Sequence, residues 1–152
     1  MTDADADAVA SLIRAAFAAQ SVPTDPPASA LRVSGADVRA QLSEPGGGGA
    51  VVVASTQALA GAILWKPADG GLYVGRLSVA VAWRRRGVAS RLLARADAEA
   101  RVRGCVRIWL ETRLVLADNR ALFAAAGFVE ISRHAHPGYV APTFVRMEKR
   151  IG

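Results

Sequence analysis

The spacing of apolar residues divides the chain into an N-terminal helical part and a longer part in which strands and helices alternate. Apolar residues recur at offsets of three and four over residues 3–20, which predicts an amphipathic helix whose early aspartates suit the positive end of the helix dipole. The prolines within residues 21–34 cannot continue this helix. A second short helix is predicted over residues 35–43, before the glycine run at 46–49 forces a turn.

The next segments have the composition of strands. Apolar runs over residues 51–55, 60–66 and 72–81 are separated by short polar segments and predict an antiparallel meander. The pattern then predicts a helix over 88–103, a strand over 105–112, a helix over 118–126 and strands over 128–132 and 143–149. The helix 88–103 joins its flanking strands as a crossover, so these strands should be parallel. The predicted fold class is α/β (α+β): a mixed, mostly antiparallel sheet with a central parallel βαβ unit and flanking helices.

Composition limits the class of protein. A chain of 152 residues with 52% hydrophobic and 21% charged residues is expected to form one domain over residues 1–152. The apolar runs are shorter than the roughly 18 residues needed to cross a bilayer, and the N-terminus is acidic, which predicts a cytoplasmic protein without a membrane partner. The single Cys105 excludes a disulfide framework, and with only two histidines no metal site is expected.

Charge is unevenly distributed along the chain. The net charge is +6, and residues 71–152 alone contain 15 basic and 6 acidic residues. This asymmetry favours an anionic partner, either a phosphate-rich cofactor or a nucleic acid. Nucleic acid is the weaker alternative, because the basic residues are not interleaved with aromatic ones and no motif of a nucleic-acid reader is present.

The most informative segment is the basic turn Arg84-Arg85-Arg86-Gly87-Val88-Ala89 between the third strand and the long helix. A strand that ends in such a turn places unpaired backbone N–H groups at the positive end of a helix dipole, which suits a pyrophosphate. Neither a P-loop nor the glycine triplet of a dinucleotide fingerprint is present, which counts against nucleotide hydrolysis and hydride transfer.

The turn resembles the signature of the Gcn5-related N-acetyltransferase (GNAT) family, a strand followed by [Q/R]-x-x-G-x-[G/A]. The resemblance covers residues 72–150 well and residues 1–70 only by the order of elements, because the strand with which the family usually begins has no counterpart. It implies acetyl coenzyme A as co-substrate and a bulged third strand, in which the Val79 N–H polarises the thioester carbonyl. The cofactor contacts that the resemblance implies are backbone groups of Val79 and Val81, charge from Arg84 and Arg86, and amides at Arg86, Gly87, Val88, Ala89 and Ser90.

The resemblance also suggests catalytic residues. Glu111 matches a glutamate that some members use as a general base through water, although it could instead be a solvent-exposed residue or pair with Arg113. The position of an acid tyrosine found in many members is occupied by Phe123, which cannot protonate sulfur. Tyr139 is the nearest candidate for the acid, and the alternative is that its loop is only rigid.

Two further sites stay open at this point. Asn119 and Phe123 are expected to contact coenzyme A, although Asn119 could instead cap its helix with Asp118. His134 and His136 could bind the acceptor or act as a base, or they could be surface residues.

The predicted function is therefore transfer of an acetyl group from acetyl coenzyme A to a primary amine, on a small molecule or a peptide N-terminus, by direct attack in a ternary complex. The alternative is a catalytically weak coenzyme A-binding regulatory module. Neither a nucleic acid nor a membrane is expected as partner, a homodimer through edge strands is left open, and the acceptor amine is not identified.

Overall fold

The computed structural model describes residues 1–20 and 22–152 as a six-stranded sheet with helices on both faces. The strand order is β1-β2-β3-β4-β6-β5, and every neighbouring pair is antiparallel except β3 and β4. The helices are α1 (Ala6–Ala18), α2 (Gly35–Ser43), α3 (Val88–Val102) and α4 (Ala117–Ala125). The strands are β1 (Gly48–Val53), β2 (Leu59–Ala68), β3 (Gly71–Val79), β4 (Arg107–Arg113), β5 (Val129–His134) and β6 (Phe144–Arg150).

This architecture confirms the predicted fold class, including the parallel pairing of β3 with β4 across α3. Within the described part of the chain, no strand precedes α1. None of the helices in this part is long and apolar enough to span a membrane.

The predicted turn forms at Pro45 and Gly46, where Gly46 has a φ of 76°, but it does not include the rest of the glycine run, because β1 already begins at Gly48. A Cβ atom at Gly48 would lie 2.7 Å from Nε1 of Trp65, and one at Gly49 would lie 2.4 Å from the Ile63 carbonyl oxygen. These glycines are therefore needed where β1 lies closest to β2, and not for a change of chain direction.

The helices enclose two apolar cores, one on each face of the sheet. The core beneath α3 and α4 includes Ile63, Leu72, Leu92, Ile108 and Phe128, and the core beneath α1 and α2 includes Val9, Ile13, Val38, Ala62 and Leu64. Fully burying a side chain of this size stabilises the fold by about 1.5–3 kcal/mol. Both faces of the central strands are thus buried, which fixes the register of β2 and β3.

A β-bulge interrupts β3. Its side chains facing the α3 core are Leu72 and Val74 before the bulge and Leu77 and Val79 after it, so one extra residue has been inserted. Arg76 takes up the insertion with a left-handed φ of 55°, and the pairing with β2 shifts register between Ala62 and Leu64.

Beyond the bulge, β3 and β4 separate. Their parallel pairing is limited to Leu72 with Ile108 and Tyr73 with Trp109. The bulge bends β3 while β4 continues straight along its antiparallel partner β6. An opening between the two central strands follows from this divergence.

We expect the bulge to depend on Ser78. Its side chain is 2% exposed, and its hydroxyl donates to the Arg76 carbonyl oxygen at 3.0 Å. Ser78→Ala leaves this carbonyl without its donor and should lower the free energy of unfolding by about 1–2 kcal/mol. Chemical denaturation measures the change.

The exposed Ser55→Ala is the matched control and should change stability by less than about 0.5 kcal/mol. Equal stabilities of the two variants would contradict the role given to Ser78.

Candidate active site

A cavity of about 570 Å³ fills the opening between β3 and β4. Leu110 belongs to the core beneath α3 and α4, so the alternation along β4 places Glu111 on the opposite face. Residues of both faces line the cavity: Leu93, Leu116, Asn119 and Phe123 on the α3/α4 side, and Tyr73, Arg76, Glu111, Arg113, His136 and Phe144 on the other. The cavity therefore passes through the sheet.

The predicted phosphate turn forms the N-terminus of α3. Gly87 has a φ of 77° and stands at the N-cap, where no side chain caps the helix. A Cβ atom at Gly87 would meet nothing within 4 Å, so the space in front of the turn is open. The amides of Val88, Ala89 and Ser90 lie in the first turn of α3, where helix geometry leaves N–H groups without intrahelical acceptors. This geometry suits an anion.

The arginines of the turn differ in their contacts. Arg84 donates to the carbonyl oxygens of Ala16 and Ala19 at 3.2 and 3.3 Å, and it thereby satisfies the C-terminal end of α1. Arg86 lies over the ring of Trp83, 5.0 Å from its centroid. Of these two predicted phosphate ligands, Arg84 thus already holds two backbone acceptors, whereas Arg86 remains at the exposed surface of the turn.

The end of β3 presents its backbone to the opening. The Ala80 N–H donates to the Ala60 carbonyl on β2 at 2.8 Å. Because neighbouring amides of an extended strand point in opposite directions, the Val79 amide points away from β2, towards the side on which β4 has separated. Val81 was predicted to lie in the strand but starts a 3-10 turn, Val81–Trp83, and it is 59% exposed.

Glu111 lies on the face of the cavity that α1 and α2 cover in part. Its cross-strand neighbour Arg146 pairs instead with Asp69 and Glu148, each at 3.1 Å. Within the described residues Glu111 makes no ion pair, with Arg113 or any other cation. Its carboxylate is therefore available to a ligand in the cavity.

Tyr139 lies near this cavity but does not line it. Its hydroxyl donates to Asp25, and this hydrogen bond raises the pKa of Tyr139. The guanidinium of the neighbouring Arg113 donates to the Pro26 carbonyl at 2.5 Å, and burial lowers the pKa of Arg113. These contacts join the loop before β6 and the end of β4 to the segment between α1 and α2.

Asn119 and Phe123, the two predicted cofactor contacts on α4, both line the cavity. The helix begins at Ala117 with Leu116 as N-cap and no side-chain cap, so the alternative in which Asn119 or Asp118 caps the helix is wrong. Phe123 is 7% exposed and packs edge-on against Phe128 at a centroid distance of 6.2 Å.

Both histidines pack on Phe144, but only His136 lines the cavity. His134 ends β5 and stacks on the Phe144 ring at a centroid distance of 5.3 Å, and His136, in the next loop, packs edge-on against the same ring at 4.9 Å. The His136 backbone N–H donates to the Thr143 hydroxyl at 3.0 Å, and Nδ1 contacts the same hydroxyl. Burial, with a smaller effect of the Arg113 charge, lowers the pKa of His136, which favours a neutral ring.

Sequence reasoning missed two cavity residues on β3, Tyr73 and Arg76. The Tyr73 ring packs against Trp109 at a tilt of 52° with a centroid distance of 4.7 Å, and the pKa of Tyr73 is raised by burial and by the Glu111 charge. The shift of apolar positions from even to odd numbers between Val74 and Leu77 is a signal for the bulge, and it could have identified Arg76.

A bulged strand that leads into an uncapped helix start, beside a cavity between the two central strands, is the arrangement that the resemblance to the GNAT family implies. Residues 12–128 match the sequence profile of the Acetyltransferase (GNAT) family. The chain belongs to this family.

Individual relatives agree with this assignment. Over 71 residues the chain is 42% identical to an acetyltransferase of Agrobacterium fabrum, a match that covers 47% of this chain and 50% of that protein. The chain thus matches about half the length of this curated relative.

Solved structures share the fold. The PaiA N-acetyltransferase of Thermoplasma acidophilum, solved with coenzyme A, has a TM-score of 0.77 at 14% identity, covering 99% of this chain and 96% of that one. A Bacillus anthracis protein assigned as a streptothricin acetyltransferase, solved with acetyl coenzyme A, has a TM-score of 0.69 at 18% identity, covering 76% and 68%.

The lowered pKa of His136 predicts a pH dependence of stability. The folded pKa lies below the ordinary value of 6.5, so the unfolded chain takes up this proton first as the pH falls. The stability that the neutral His136 ring contributes is fully present above pH 6.5 and is lost as the pH falls through the folded pKa. His136→Asn should therefore lose less unfolding free energy than the wild type between about pH 7.5 and 5.5.

Denaturant titrations at these two pH values measure the difference. Ser55→Ala, which lies outside the cavity lining and removes no titratable group, should lose as much unfolding free energy as the wild type. If His136→Asn loses as much, the environment assigned to His136 is wrong.

Proposed function

We propose that this protein transfers an acetyl group from acetyl coenzyme A to a primary amine of a small molecule or a peptide N-terminus. The observation that carries the proposal is the cavity through the sheet, with Glu111 on one face and the α3/α4 side on the other. Such a passage lets an acyl donor and an amine approach each other from opposite faces. Direct transfer then requires no acyl-enzyme.

The residues at the start of α3 fit the pyrophosphate of coenzyme A. The amides of Val88, Ala89 and Ser90 would donate to its oxygens, and the bare backbone of Gly87 leaves room for a close approach. Arg86 would add charge at the rim. In this proposal Arg84 acts mainly by fixing α1 to the turn, since its donors meet the carbonyls of that helix.

The open backbone of β3 would bind the acyl end of the donor. The Val79 N–H is the donor for the thioester oxygen as negative charge develops on it. Val81 would follow with its backbone, and Asn119 and Phe123 line the α4 side of the same passage.

The Glu111 carboxylate would serve as the general base. An alkylammonium has a pKa near 10.4, so the amine must lose a proton before its nitrogen can attack the carbonyl carbon. The first proton passes from the ammonium through water to Glu111 and on to solvent. As the new C–N bond forms and the C–S bond breaks, the second amine proton follows the same route, and the electron pair of the C–S bond leaves with sulfur. Tyr139 would have to leave Asp25 before it could protonate the thiolate, and otherwise solvent supplies that proton.

One observation favours the alternative of a regulatory coenzyme A-binding module. Phe123 occupies the place of the acid tyrosine found in many family members, and it is packed in the core with no hydroxyl to offer. A protein of this kind would bind the cofactor without rapid turnover.

Calorimetric titration is the first test of the proposal. Acetyl coenzyme A and coenzyme A should bind with micromolar affinity and ATP should not, because the cavity between the strands suits the pantetheine arm that ATP lacks. ATP binding as tight as that of the coenzymes would refute the cofactor assignment.

Replacing Glu111 with Gln separates catalysis from binding. The variant should lose on the order of 100-fold in kcat with the affinity for acetyl coenzyme A unchanged, because the amide cannot accept the proton. Thiol release measures turnover.

Glu130→Gln, at a surface ion pair on β5, is the control and should keep wild-type kcat. Wild-type turnover by Glu111→Gln would remove Glu111 from the mechanism, and binding without turnover in the wild type would favour the regulatory module.

A further inference from the structure

The acceptor side of the cavity has an excess of positive charge. Among the cavity-lining residues that the structure describes, the charged groups are Lys66, Arg76 and Arg113 against the single carboxylate of Glu111. A cationic acceptor would enter this space against repulsion, and an acceptor with an anionic group would enter with attraction. The charges in the cavity therefore carry information about the substrate.

Arg113 is placed for recognition of an anion. It lies two residues beyond Glu111 on the same face of β4, about 6.6 Å away along the strand. One guanidinium nitrogen holds the Pro26 carbonyl, and Asp25 is near enough to favour the charged form without making an ion pair within the described residues. Its side chain is thus held in place with donors left over.

Arg76 approaches from the other strand. The bulge turns its backbone, and Nη2 donates to the Ser29 hydroxyl at 3.0 Å. In the described chain Arg76 makes no ion pair, although its charge contributes slightly to the lowered pKa of Asp37. Its guanidinium therefore keeps free donors beside the cavity.

Lys66 contributes less to this charge. Its ammonium lies 4.0 Å from the Glu44 carboxylate, which partly compensates it. The two arginines are therefore the groups that an anion would meet. Guanidinium groups bind planar carboxylates through paired hydrogen bonds.

We propose that the acceptor amine carries a carboxylate a few bonds from its nitrogen, as an amino acid does, and that Arg76 and Arg113 bind this carboxylate while Glu111 receives the amine. The inference rests on the proposed acetyl transfer. Arg76 and Arg113 would then determine specificity for the acceptor, while the acetyl donor binds on the opposite face of the sheet.

The test compares amino acids with their carboxamides, which match them in size and lack the charge. The ratio of kcat/KM for acid over amide should be about 10 or more, because the amide loses charge-assisted hydrogen bonds to arginine. In Arg76→Gln and Arg113→Gln this ratio should fall towards one, with the affinity for acetyl coenzyme A unchanged. Arg113→Lys should keep part of the preference.

Arg133→Gln, at an exposed ion pair on β5, is the matched control and should keep the wild-type ratio. An amine panel that includes aminoalkyl phosphonates distinguishes the anions, and preference for a phosphonate over a carboxylate would refute the assignment. Turnover with a preference for amides or polyamines overturns this inference alone. Absence of turnover with every amine, while acetyl coenzyme A binds, overturns it together with the proposed acetyl transfer.

Discussion

The site depends on one constraint: β3 must pair with β2 along its whole length and with β4 along only part of it. The extra residue at Arg76 meets this constraint, because it bends β3 away from β4 while the register with β2 resumes after the shift. The Ser78 hydroxyl holds the bulge by donating to the Arg76 carbonyl. Without the bulge the two central strands would close the sheet, and neither the cavity nor the outward-pointing Val79 amide would exist.

The elements on the two faces of the sheet are held beside this opening by different kinds of contact. On one face, α3 packs so closely on β2 that a Cβ atom at Gly61 would lie 2.6 Å from Val88 and 3.0 Å from Leu92. This fit fixes the N-terminus of α3 beside the end of β3. On the other face, the segment between α1 and α2 is held by side chains of the strands, with Arg76 bound to Ser29 and Arg113 to Pro26. The face proposed for the acetyl donor is thus built from close packing, and the face proposed for the acceptor from polar contacts of a loop.

The sequence predicts the fold and the donor side better than the acceptor side, for a physical reason. Periodicity and glycine positions report local structure, and they place α3, its N-terminal turn and the parallel strands correctly. Contacts between segments that are distant in the chain produce no comparable pattern in the local sequence. Nothing near Arg84 indicates that it donates to the end of α1, and nothing near Tyr139 indicates its bond to Asp25. Tyr73 is similar: only the parallel register brings it beside Trp109 and within the field of Glu111.

The ion pairs show which basic residues of the chain lack a carboxylate partner. The second half is strongly basic, yet eight of its basic residues share five carboxylates: Arg95, Arg101, Arg103, Arg107, Arg120, Arg133, Arg146 and Lys149 pair with Asp69, Asp97, Glu99, Glu130 and Glu148. Within the described residues, the arginines of this half that lack an ion pair are Arg76, Arg84, Arg85, Arg86, Arg91, Arg113 and Arg150. Four of these lie in the turn before α3 or in its first turn, and two line the cavity on the face of Glu111. Uncompensated charge is therefore concentrated where the pyrophosphate and the carboxylate of the two proposed substrates would bind, whereas the total charge mostly reflects the solvated surface.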